Sequence, residues 1–374
     1  MSRPRILVID DEPGMLRAVE RVLAADHQVI TCASPQQSIE LAGTFKPDLV
    51  ICDISMPRMD GFEVMQHLQK LRPEPDVIMM TGLSDPEPQL IRAIREKAFY
   101  FIEKPFNREV MLTLVARALE LRRLREAEQR HVQRMSHELA EARKFQEAML
   151  SPPQARIGGI EIAARYVACS ELGGDFYDYA DAGRGRVAFV VADVCGHGVS
   201  GGMLTSIVKS TFQGSAATGF EPSAIVKRVS DGIGGFGFGR FITIFCGRID
   251  SEHGTLDYVN AGHPPAMMWR TVGPVVQLGA TSPIVSPAFA DEPSEQLTIP
   301  IPRDAQLLVY TDGVTDVASA DSRFGKERIV EQVMRHRSGG SGLLDSILNE
   351  ARAFAAGRPQ PDDLTMLTVR FTTG

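Results

Sequence analysis

The chain has 374 residues, of which 44% are hydrophobic, 23% charged and 7% aromatic, a profile that fills ordinary packed cores and excludes wholesale disorder. Its 40 Lys+Arg against 47 Asp+Glu leave a net charge of −7, so no global basic field exists to hold a nucleic-acid backbone. No apolar run approaches the ~20 residues of a bilayer span, and the run Ile6 to Ile9 behind Arg3 and Arg5 is too short for the apolar core of a signal peptide.

In chain order, residues 3–10 predict a buried parallel strand that ends in acids. A helix is predicted from Pro13 to about Ala25, then a strand near 28–32, a helix at 35–44, a strand at 48–53, a helix at 61–71, a strand at 76–81 and a helix at 87–97. A last short strand, YFIEK, precedes Pro105. This alternation predicts a doubly wound, five-stranded parallel α/β domain over 1–122.

From 107 to 150 the pattern is continuously helical, overlapping the last helix of the first domain. Placing Met111 at heptad position a puts Leu114, Ala118, Leu121, Arg125, Glu128, Val132, Met135, Leu139, Ala142, Gln146 and Met149 on one seam. Most are apolar, which predicts a coiled-coil linker and a parallel homodimer through it, the alternative being a helix packed back on its own domain. Beyond Pro152 and Pro153, residues 153–374 alternate short β-like runs with Gly turns, interrupted by helices near 199–213, 222–232, 325–336 and 341–356. An α+β domain of two stacked sheets flanked by helices is predicted, with a loose segment at 280–296. The 5 cysteines lie far apart, with no CxxC or Cys/His zinc spacing, so free thiols and a cytoplasmic location are expected.

Asp10 and Asp11 end the first strand and Asp53 the third. The carboxyl ends of strands in a doubly wound sheet line one crevice, so the three acids converge and call for a shared hard cation. Thr81 and Lys104 stand at the ends of later strands. A carboxylate nucleophile, a divalent ion, a hydroxyl and an ammonium together suit a phosphoryl group on Asp53. These residues, with the run Asp53-Ile-Ser-Met-Pro57-Arg-Met-Asp60-Gly61, resemble the receiver domain of two-component response regulators. The resemblance implies that Asp53 takes its phosphoryl group from a sensor histidine kinase. It implies that Asp10, Asp11, Asp53 and the Ser55 carbonyl hold Mg²⁺, and that Thr81 and Lys104 bind phosphoryl oxygens. Phe101 stands at the switch position where Tyr is common.

Four acidic motifs punctuate the last domain: Gly173-Gly174-Asp175-Phe-Tyr-Asp178, Ala192-Asp193-Val-Cys-Gly196-His197-Gly198, Tyr310-Thr-Asp312-Gly313 and Asp362-Asp363-Leu-Thr365. Each adjoins an apolar strand, and together they are suited to a pair of divalent cations acting at phosphorus. The set, with the non-catalytic runs GRFITIF, NAGHPPAMMW and FGKERI, is similar to the SpoIIE-like branch of the metal-dependent protein phosphatases (type 2C). The resemblance implies a serine/threonine phosphatase with two Mn²⁺ or Mg²⁺ ions. Asp175, the bridging Asp193, the Val194 carbonyl, Asp312 and Asp362 would hold the ions, with Asp363 as second choice beside Asp362. A hydroxide between the metals, rather than a protein side chain, would be the nucleophile. Cys195 and Asp316 stand where the family usually has Ser and Glu, and neither is a ligand.

Other signals have plainer readings. Gly232-x-Gly234-x-x-Gly237 follows a helix and leads into a strand, the reverse of a dinucleotide fingerprint, and reads as a loop. His137 in Ser136-His137-Glu138-Leu139 reads as a solvated helix residue, and His197 and His263 as hydrogen-bonded histidines. Residues 120–147 hold 7 Arg/Lys against 6 Asp/Glu, a balanced face rather than a basic patch. The resulting expectation is a response regulator whose output dephosphorylates a phosphorylated anti-sigma-factor antagonist, without contact to nucleic acid or membrane. The alternative is a non-enzymatic adaptor that binds a sigma factor or its regulator through an inactive phosphatase fold.

Overall fold

Five short apolar strands open the chain: β1 (Arg5–Ile9), β2 (Gln28–Cys32), β3 (Leu49–Asp53), β4 (Asp76–Thr81) and β5 (Tyr100–Glu103). The computed structural model describes residues 3–82, 100–196, 198–236, 239–302 and 304–371; the helix expected at 87–97 lies outside these, as do His197 and Gly237. The strands pair in parallel in the order β2-β1-β3-β4-β5. Helices α1 (Pro13–Leu23), α2 (Pro35–Phe45) and α3 (Gly61–Leu68) connect them. Alternate residues of β1 and β3 feed two separate cores, Leu7, Ile9, Val50 and Cys52 on one face and Ile6, Val8, Leu49 and Ile51 on the other. Burial on both faces is why these strands read as unbroken apolar runs. The strand order reverses between β1 and β3, so their carboxyl ends flank the crevice where ligands bind in such sheets.

Helix α4 runs unbroken from Arg108–Met149. The chain forms two compact units, Met1–Met135 and Ser136–Gly374, so the boundary falls inside this helix. Its first turns pack back on the N-terminal unit, where Met111, Val115, Ala118 and Leu119 complete a core. Arg125, read as a charged interruption of the seam, donates to the Asp76 carboxylate at 2.6 Å. Further on, Val132 and Met135 are exposed.

The second unit stacks two antiparallel sheets. The first contains β8 (Asp175–Gly183), β9 (Arg186–Val194), β10 (Ile242–Asp250), β11 (Thr255–Ala261) and β14 (Leu297–Pro300), in the order β14-β11-β10-β9-β8. The second is ordered β13-β12-β15-β16-β7-β6, from β6 (Gln154–Ile157), β7 (Ile160–Val167), β12 (Ala266–Trp269), β13 (Val276–Leu278), β15 (Gln306–Tyr310) and β16 (Leu364–Phe371). Their facing side chains, among them Ile162, Tyr177, Val191, Phe245, Val309 and Leu367, form the central core. Helices α5 (Val199–Gln213) and α6 (Pro222–Ile233) cover the outer face of the first sheet. After the single turn α7 (Asp312–Thr315), helices α8 (Gly325–Arg335) and α9 (Gly340–Ala355) cover the second. The segment expected to be loose at 280–296 is partly pinned: Val285 bridges to Ile242, Ser282 bridges to Ala261, and the Val285 side chain is buried.

Candidate functional site

In the N-terminal unit Asp10, Asp11 and Asp53 bring carboxylate oxygens within 4.8 Å of one another. Asp10 and Asp53 are buried, and Lys104 bridges them, with Nζ 2.7 Å from Asp10 and 2.9 Å from Asp53. Burial pushes the Asp53 carboxyl upward and Lys104 opposes it. Burial would depress the Lys104 ammonium, but the hydrogen bonds it donates to both carboxylates hold it above its ordinary value. Thr81 is buried at the end of β4, Ser55 is exposed in the turn after β3, and Phe101 is half-buried on β5 against the core. The turn is held at its far end by Asp60, which caps α3 in a reciprocal box with Glu63. A side chain at Gly61 would strike the Asp53 carbonyl, since a Cβ there would lie 2.2 Å from it. The Asp60-Gly61 pair therefore seats the α3 N-terminus directly on the backbone of Asp53.

The second centre is assembled from both sheets of the other unit. Asp175 begins β8 and stands directly opposite Asp193 on β9, a like-charged cross-strand pair that is destabilising without a counter-ion. From the second sheet, Asp312 opens α7, and Asp362 and Asp363 precede β16. Thr311 joins the two sheets by donating its hydroxyl to Asp175 Oδ2 at 2.7 Å. Asp175 is raised well above the carboxylate range by burial and then by Asp193. Asp193 is raised to about 7 by burial and by Asp312, Asp362 and Asp363. Asp312 is raised by burial and Asp362. These shifts describe carboxylates that repel one another in a low-dielectric cleft, the charge arrangement that divalent cations relieve. The Val194 carbonyl lies against Gly174, where a Cβ would come within 2.7 Å of its oxygen.

Asp362 and Asp363 differ in their surroundings. Asp363 is 1% exposed and accepts the backbone amides of Cys169, Gly174 and Asp175. Its lone pairs are thus spent on the Gly173-Gly174-Asp175 turn, while Asp362 is the more accessible of the pair. Cys169 joins these two acids in a group within 4.8 Å, and burial followed by Asp363 pushes its thiol up to about 12. Asp175, Asp193 and Asp312 form no comparably tight group. His263 is buried, shares a 2.9 Å hydrogen bond between Nδ1 and Thr243 Oγ1, and is depressed by burial to about 3, so it is a neutral structural imidazole.

Two features escaped the motif reading. Gln146, taken as a polar seam position, is buried and grips Gly173 twice. Its Nε2 donates to the Gly173 carbonyl at 2.7 Å, and its Oε1 accepts the Gly173 amide at 3.0 Å. The same Nε2 reaches Thr205 of α5 at 3.3 Å. The second feature is Asp178, fully buried, whose Oδ2 accepts from Lys209 at 3.0 Å and Gln213 at 2.7 Å, both on α5. Its Oδ1 accepts from Ser151, just beyond the end of α4. The last turn of α4 is thereby bolted to the strand that begins with Asp175 and to α5. A glutamine at an otherwise apolar seam position was the available signal for Gln146.

Comparison with known proteins agrees with this architecture. The family model for Stage II sporulation protein E (SpoIIE) matches residues 183–372, and that for the response regulator receiver domain matches residues 6–116. The chain is 33% identical over 184 residues to phosphoserine phosphatase RsbP of Bacillus subtilis (strain 168), covering 48% of this chain and 45% of that protein. It is 30% identical over 264 residues to protein IcfG of Synechocystis sp., covering 62% of this chain and 41% of that protein. It thus spans less than half the length of either relative. Among solved structures, the SiaA-PP2C domain of Pseudomonas aeruginosa superimposes with a TM-score of 0.56 at 19% identity, covering 64% of this chain and 98% of that one, which shows a shared fold.

Proposed function

Since the chain belongs to the SpoIIE family and carries a response regulator receiver domain ahead of that module, we propose that it is a phosphorylation-controlled, metal-dependent phosphatase of phosphoserine or phosphothreonine in a protein. The observation that carries this reading is the mutually repelling set Asp175, Asp193, Asp312 and Asp362, drawn from both sheets, the first three of which are raised in pKa. Two Mn²⁺ or Mg²⁺ ions there would supply charge neutralisation and an activated water for in-line attack at phosphorus. Asp175, Asp193, Asp312, Asp362 and the Val194 carbonyl would hold them. Asp363 holds the Asp175 turn in place through its amide contacts.

In the receiver, Asp53 accepts the phosphoryl group from a sensor histidine kinase, with Mg²⁺ on Asp10, Asp11 and the Ser55 carbonyl. Lys104 then exchanges its Asp53 contact for a phosphoryl oxygen, and Thr81 supplies a hydroxyl. Phe101 on β5 reports the change by packing, since it has no hydroxyl to offer. Helix α4 is the relay, and its Gln146 grip on Gly173 and Thr205 makes its position matter to the Asp175 turn. The exposed Val132 and Met135 suit homodimerisation along the middle of that helix. The substrate that fits the family resemblance, and the naming of RsbP as a phosphoserine phosphatase, is a phosphorylated anti-sigma-factor antagonist in the cytoplasm.

The test is hydrolysis of p-nitrophenyl phosphate and a phosphoserine peptide by the purified protein in Mn²⁺, with and without beryllofluoride to mimic phospho-Asp53. Activity that vanishes on metal chelation and changes with beryllofluoride is expected. No hydrolysis of either substrate under any condition would leave the non-enzymatic adaptor as the better reading.

A further inference from the structure

The run Gly239-Arg240-Phe241 has no part in the roles assigned above, yet it borders the second centre. Beyond the register pair Asp193 and Thr243, the ladder between β9 and β10 continues. Cys195 donates its amide to the Phe241 carbonyl at 2.9 Å, and the Phe241 amide reaches Cys195 Sγ at 3.1 Å. Arg240 therefore comes next to Gly196, in the loop that leads away from Asp193 and the Val194 carbonyl. Its Nη1 lies 3.8 Å from where a Gly196 Cβ would stand. Other cations of the chain are engaged: Lys209 with Asp178, Arg143 with Glu147 and Arg323 with Asp316. Arg240 is half-buried and has no hydrogen bond or ion pair with any described residue.

Among the described residues, this half-buried guanidinium has no anion beside it although it borders a cleft lined with carboxylates. The charge of the centre supplies a reason. Two divalent ions do not neutralise five carboxylates, so an incoming phosphoryl dianion meets residual negative charge. A guanidinium presents paired N–H donors in the geometry that phosphoryl oxygens accept, and it stays charged at every working pH. We propose that Arg240 binds the phosphoryl group of the substrate, a phosphate monoester, at the rim of the metal centre; this rests on the phosphatase reading of that centre. The metals and Arg240 then hold the phosphoryl oxygens from different sides, and Arg240 contributes to binding without ligating metal.

The experiment compares wild type, Arg240→Ala and Arg240→Lys in the full chain with Mn²⁺. Binding of inorganic phosphate is measured by calorimetry, alongside p-nitrophenyl phosphate kinetics and a Mn²⁺ titration. Arg240→Ala is expected to weaken phosphate binding and raise KM by roughly ten-fold or more, with Lys restoring part of the loss and Mn²⁺ affinity unchanged within about two-fold. Equal phosphate binding in wild type and Arg240→Ala overturns the proposal, as does a loss that tracks weakened Mn²⁺ binding. Phosphate that binds through Arg240 without any hydrolysis would keep the anion site and sink the phosphatase reading instead.

Discussion

The two acidic centres differ in what balances their charge. The receiver cluster contains its own cation, Lys104, in contact with both Asp10 and Asp53. The second cluster gathers five carboxylates, and Lys209 of α5 is committed to Asp178. The first is therefore partly balanced by the polypeptide itself, with one ammonium against three carboxylates. The second is electrostatically incomplete as a bare polypeptide, and divalent cations bound there would add to its stability.

Asp193→Asn gives the sharpest separation. It is expected to cut Mn²⁺-dependent hydrolysis by at least ~100-fold, while labelling of Asp53 by acetyl phosphate continues unchanged. Loss of both would show that the centres are not independent in this sense.

A pH series on metal-free protein tests the charge balance directly. Asp193 is raised to about 7 against an unfolded value near 4, so the folded state holds a proton that the unfolded state has lost. Stability is then fully present below about pH 4 and falls as pH rises toward 7, by about 4 kcal/mol at most for this group. The melting temperature of the phosphatase unit should drop by several degrees from pH 5 to pH 8 in chelator, and saturating Mn²⁺ should reverse the drop. The same protonation predicts proton release when Mn²⁺ binds at pH 6. A metal-free melting temperature that is flat or rises over this range would contradict the picture.

The smallest expected effect is at the junction. Gln146→Ala should lower the hydrolysis rate by roughly ten-fold and abolish the response to beryllofluoride, leaving receiver labelling intact. A variant that still responds fully would remove Gln146 from the relay.

The legible parts of the sequence were those where burial leaves a pattern. Strands buried on both faces, such as Arg5–Ile9 and Leu49–Asp53, read as apolar runs, and the helix at Val199–Gln213 was bounded to the residue. β8 was not read as a strand, because DFYDYADAG carries acids and small residues that serve the site and the Asp178 hub rather than the core. β12, β13 and β14 are too short for a periodic signal. The acids themselves were visible as motifs, and the family resemblance ranked Asp362 ahead of Asp363, but the physical reason for that ranking was not legible. Asp362 and Asp363 are identical in sequence terms, and only the amides of Cys169, Gly174 and Asp175 distinguish the buried buckle from the accessible carboxylate.

The position of β16 between β15 and β7 orders events in time. β7 pairs at once with β6 but must wait for Leu364–Phe371 before its second neighbour exists, whereas every described receiver strand pairs within the first 103 residues. Long-range pairing of this kind forms late and cooperatively. On the ribosome, the receiver sheet and the sheet that carries Asp175 and Asp193 can thus form before Asp362, Asp363 and β16 have emerged, so the second acidic cluster is the last part of the chain to be completed.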